Sequence, residues 1–136
     1  MGWASRRRQI HSNERRQHQH RVCRRPKEDV RLSERLVDLI APYREDGLTS
    51  QGYEMLIGAA ATAWNLSLLP APEQPAALRY AFRNANVRGV EAAAEVIVGL
   101  MRRKEQLFPD DCRTILSWEV SESDGQYHVA VASLAD

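Results

Sequence analysis

The sequence predicts an α+β domain: a small bundle of three to four helices followed by a C-terminal antiparallel β-hairpin. Three observations carry this. Apolar residues recur at helical spacing from Asp29 onward. Prolines and glycines divide that region into separate helices. After Pro109 the apolar period drops from 3.6 to 2, around an Asp124-Gly125 pair.

The first helix is expected to begin at Asp29. Leu32, Leu36, Leu39, Ile40 and Tyr43 form one apolar stripe, with Arg31, Glu34, Arg35 and Asp38 largely on the other side. Pro42 and the following "REDG" should end it, with Gly47 free to turn left-handed. Thr49 or Ser50 can cap a second helix by accepting a bond from an orphan backbone N–H. Tyr53, Leu56, Ile57, Ala60 and Trp64 are its buried stripe, and the small residues from Gly58 to Ala63 admit a close neighbour. Asn65 reads as a helix C-terminal residue. Pro70, Pro72 and Pro75 break this helix, and a short one carrying Leu78, Ala81 and Phe82 follows. After an Asn84–Asn86 turn, the longest helix is expected over roughly Val87 to Leu107. Its stripe is Val90, Ala94, Ile97, Met101 and Phe108. Arg102, Arg103 and Lys104 lie in its last turns, opposite the negative end of the helix dipole.

Asp124-Gly125 is a two-residue hairpin turn and sets the register. Ser123 should face Gln126, Val120 should face Val129, and Trp118 should face Val131. Leu116, Trp118, Val120, Tyr127, Val129 and Val131 then share the apolar face, and Ser117, Glu119, Ser121, His128 and Ala130 the polar one. A lone two-stranded hairpin is marginal in water, so its outer edge should pair with a further strand, a second subunit or a partner chain.

The charge pattern divides the 136 residues unevenly. Of the chain, 43% is hydrophobic and 27% charged, and the net charge is +1. Residues 1–26 hold eight arginines against Glu14, a net of +7, which leaves residues 27–136 at −6. The reading is therefore a basic arm over residues 1–26 and a single globular domain over residues 27–136. Arg6, Arg7, Arg8, Arg15, Arg16, Arg24 and Arg25 are the candidate nucleic-acid contacts, because clustered guanidinium groups bind phosphates by counterion release. The arm lacks the aromatic stacking groups or basic recognition helix that nucleic-acid modules add. The abrupt change of composition is also what a misassigned start would produce. A GTG start codon would place it at Val22 or Val30, and the dominance of Arg over Lys and the many alanines point to a GC-rich bacterial genome.

Chemistry is weakly signalled. His11, His18, His20 and Cys23 are zinc-type ligands, but their spacing matches no finger or ribbon and no apolar frame holds them, so no metal is expected. Asp110 and Asp111 are paired carboxylates in a turn, read as a solvated loop. Glu119, Ser121 and His128 group on neighbouring strands without a nucleophile elbow or an oxyanion hole. No phosphate loop, dinucleotide fingerprint, HExxH, CxxC pair or EF-hand occurs, and no cofactor is expected. The uncharged stretch Met55–Pro72 is rich in Ala and ends in prolines, which favours a buried helix over a membrane span. Two cysteines and no apolar leader after the first arginines point to the cytoplasm.

The expected function is a non-enzymatic interaction module. It would self-associate as a dimer or bind a protein through the hairpin edge or a helix face. The alternative is a nucleic-acid-associated accessory protein using the arm. An enzyme would betray itself by a deep pocket with convergent polar groups.

Overall fold

The computed structural model describes residues 31–83 and 89–134. Among these residues four helices precede a two-stranded antiparallel hairpin, as the periodicity predicts. Helix α1 (Leu32–Ile40) buries Leu32, Leu36, Leu39 and Ile40. A 3₁₀ turn over Ala41–Tyr43, with Pro42 inside it, ends the helix, and Gly47 turns left-handed at φ +80°.

Helix α2 (Ser50–Ser67) is the centre of the molecule. The Thr49 hydroxyl accepts from the Gly52 N–H at 3.0 Å and caps it. Tyr53, Ile57, Ala60, Ala61, Ala63, Trp64, Leu66 and Ser67 are all buried, so the helix is enclosed on more than one side. It touches α1 and lies against both the hairpin and α4. Its small residues make this possible. A Cβ at Gly58 would sit 2.9 Å from Trp118 Cζ2 in the hairpin, so the indole fits only because position 58 is glycine.

A second 3₁₀ turn (Ala71–Glu73) leads into α3 (Gln74–Ala81). Leu78 and Phe82 pack on the core as expected, whereas Ala81 is exposed. Helix α4 spans Val90–Leu107, and the expected start near Val87 lies outside the described residues. Gly89, at φ +86°, is its N-cap residue and sets the helix start. The Asn84–Asn86 turn lies outside the described residues.

The buried face of α4 also differs from the expected stripe. Ile97, Leu100 and Lys104 are buried, while Val90, Ala94, Met101 and Phe108 are half-buried. The face is turned toward Leu100 and carries Lys104 inward, fully buried with its ammonium 5.0 Å from the centre of the Trp64 ring. Arg103 crosses to α1 instead of serving its own helix end. It donates to the carbonyls of Asp38 at 2.8 Å and Leu39 at 3.1 Å, which sit in the last turn of α1.

Strands β1 (Thr114–Ser123) and β2 (Gln126–Leu134) pair in the expected register: Ser123 with Gln126, Val120 with Val129, Trp118 with Val131. Asp124 (φ 53°) and Gly125 (φ 74°) both take positive φ, the mark of the primed turn that matches strand twist. Trp118, Val120, Tyr127, Val129 and Val131 pack toward the helices. Leu116 departs from the expected face. A β-bulge between Ile115 and Ser117 breaks the alternation there, and Ile115, not Leu116, enters the core.

Candidate functional site

The hairpin has two outer edges, and the molecule treats them differently. In a hairpin closed by a two-residue turn, the residues flanking the turn exchange both backbone bonds, and the next pair exchanges none. Tyr127, Val129, Val131 and Ser133 of β2 therefore direct their N–H and C=O groups away from β1.

On the β1 side, side chains of α2 occupy the outer edge at the root of the strand. The Trp64 indole N–H donates to the Arg113 carbonyl at 2.7 Å. Asn65 makes two bonds to one residue: its amide nitrogen donates to the Ile115 carbonyl and its oxygen accepts from the Ile115 N–H, both at 2.9 Å. The carboxamide thus stands where the backbone of a third strand would be. Asn65 is not simply a helix-terminal residue.

Asp111 fixes the approach to this root. Its side chain is 1% exposed, so it is not the solvated turn residue expected. Its carboxylate accepts from the Arg113 backbone N–H and from two guanidinium nitrogens of Arg113, the shortest at 2.6 Å. Arg35 of α1 adds an ion pair at 3.2 Å and lays its guanidinium 4.4 Å from the centre of the Phe108 ring. Two cations around one buried carboxylate compensate its desolvation and join α1 to the loop before β1. Asp110, its neighbour, is exposed.

On the β2 side, side chains hold the strand, and among the described residues no group bonds to its outer backbone edge. Tyr127 stacks on Tyr53 with ring centres 4.5 Å apart, and its hydroxyl donates to the Leu48 carbonyl at 3.0 Å. Burial raises Tyr53 above its ordinary value of 10.0, against a smaller opposing pull from Arg44. The outward backbone groups of β2 bond to no described residue, and the sheet has only these two strands among the described residues. Over its nine residues β2 contains no Pro, Asp, Glu, Lys or Arg, and the bulge lies on β1. The devices that usually blunt an exposed edge are missing from it.

Arg6, Arg7, Arg8, Arg15, Arg16, Arg24 and Arg25 lie outside the described residues, as do His11, His18, His20 and Cys23. Ser121 and His128 are a cross-strand pair, and with Glu119 they are exposed on the outer face of the hairpin. Among the described residues no group of three or more His, Cys, Asp or Glu is placed to hold a metal. No helix of the described residues is long and apolar enough to cross a membrane. An open groove of about 550 Å³ is lined by Leu78, Val98 and Met101 beside Gln74, Arg102 and Glu105. Ser67 also lines it, but its hydroxyl donates to the Trp64 carbonyl at 2.6 Å and is not poised as a nucleophile.

Which edge of the hairpin is open is not encoded within the hairpin itself. The unpaired hairpin is visible in the sequence, but the edge that is closed depends on Trp64 and Asn65, 49 and 50 residues from their partners. No protein-family model, curated protein or solved structure matches the chain.

Proposed function

We propose that this chain is a non-enzymatic interaction module whose working surface is the edge of β2, where a protein partner adds a strand. The observation that carries the reading is the long, uncharged, unbulged edge with free backbone groups at Tyr127, Val129, Val131 and Ser133. Main-chain hydrogen bonds supply affinity in such an addition, and alternate side chains supply choice of partner.

Val129→Pro tests it. The Val129 N–H points away from β1, so proline there removes no bond of the hairpin but blocks an incoming strand. Extended peptides selected for binding should protect the amides of Tyr127, Val129 and Val131 from hydrogen exchange. They should lose binding to a folded Val129→Pro variant. Equal binding to the variant would refute the reading.

The net +7 of residues 1–26 favours a second reading, association with nucleic acid through Arg6, Arg7, Arg8, Arg15, Arg16, Arg24 and Arg25. It requires salt-dependent binding that disappears when residues 1–26 are removed.

A further inference from the structure

We infer that the strand taken up by β2 is β2 of a second copy of this chain, which makes a continuous four-stranded sheet across a two-fold axis. This rests on the strand-addition reading and names its partner. The first argument is parity. An antiparallel self-pairing over the whole of Gln126–Leu134 places the midpoint, Ala130, on the axis. Val129 then faces Val131 of the second copy, and Tyr127 faces Ser133. These are the residues whose backbone groups point outward, so each such pair exchanges two hydrogen bonds. The full-length register satisfies every free group on both edges.

The second argument is charge. In a two-fold contact the same side chains approach from both copies, so a charged strand opposes itself. β1 carries Glu119 and Glu122, whereas β2 carries no carboxylate and no Lys or Arg, in a chain that is 27% charged. His128 falls opposite Ala132 of the second copy and does not meet itself. On the helix-facing side, Val129 and Val131 pack on the core of their own copy and set no charge against the second.

Ala130 gives a direct test, because it is exposed on the outer face of β2 and its substitution leaves the core untouched. On the axis it forms a non-hydrogen-bonded pair with its own copy, with Cα atoms about 4.5 Å apart, which is within disulfide reach. In the full chain carrying Cys23→Ser and Cys112→Ser, Ala130→Cys should form a covalent dimer under mild oxidation. Ala132→Cys, which does not face itself, should cross-link several-fold less. Ala130→Lys should shift the uncross-linked protein toward monomer in light scattering across dilution, with its circular dichroism unchanged. A protein that is monomeric at every concentration, with Ala130→Cys cross-linking no better than Ala132→Cys, would overturn the self-pairing. If selected peptides still bind and Val129→Pro still abolishes their binding, the strand-addition reading survives that failure. If Val129→Pro has no effect on them, it falls too.

Discussion

β1 and β2 share one ladder and differ in what lies beyond it. β1 carries a bulge and two carboxylates, and at its root two side chains of α2 take the place of a neighbouring strand. β2 is uncharged and unbulged, and its outward backbone groups bond to no described residue, although its side chains are anchored on α2 and the α1–α2 loop. An edge can therefore be closed without another strand. An indole N–H and a carboxamide, held on a rigid helix, satisfy the same donors and acceptors. The open edge is a local feature of β2, not a general consequence of a small sheet.

The largest expected disruption of the β1 side is Trp64→Ala. It removes a fully buried indole, exposes the space beside Lys104 and leaves the Arg113 carbonyl unpaired. A loss of about 3–5 kcal/mol is expected on truncation of a buried Trp, enough to unfold much of a small domain. Urea titration followed by far-ultraviolet circular dichroism measures it.

Asn65→Ala is the more selective experiment. It deletes little volume and removes both of the Asn65 bonds to the Ile115 N–H and C=O. A cost of about 1–3 kcal/mol follows from the loss of two part-buried hydrogen bonds. Asn65→Asp retains an acceptor for the N–H but turns an anion toward the carbonyl, so it should not restore stability. If Asn65→Ala is as stable as the parent in urea, the carboxamide does not replace a strand.

The smallest effect probes the β2 side. Tyr53 carries the ring on which Tyr127 stacks, and burial holds its phenol protonated beyond its ordinary range. The folded state then keeps a proton that the unfolded state releases. The stabilisation is complete below about pH 10 and is lost as pH rises through the raised folded value. Tyr53→Phe should flatten the alkaline fall in melting temperature that sets in as pH rises past about 10. An unchanged slope would show that the phenol does not sense the packing against β2.

Local chemistry made much of this fold legible. The Thr49 cap, the left-handed Gly47 and the primed Asp124-Gly125 turn depend on residues within a few positions, and so does the register near the hairpin tip. The residues that decide the edges depend on distant partners. Lys104 resembles a helix-end cation until Trp64 is placed beside it, and Asp111 resembles a loop residue until Arg35 reaches it from α1. Asn65 sits near a helix end, where asparagine has a common local explanation, and only its alignment with Ile115 reveals another. The candidate arm of residues 1–26 was legible as charge alone.

The bulge at Leu116 carries a consequence for insertions and deletions. From the tip, the Asp124-Gly125 turn dictates which residues of β1 face its partner. From the root, Asn65 demands that Ile115 face away. These two demands are out of step by one position, and Leu116 is the extra residue that reconciles them. Removing it would not merely shorten the strand. The chain would have to surrender either its grip on α2 or the alignment of Trp118 with Gly58, so the length of this segment is constrained more tightly than the identity of residue 116.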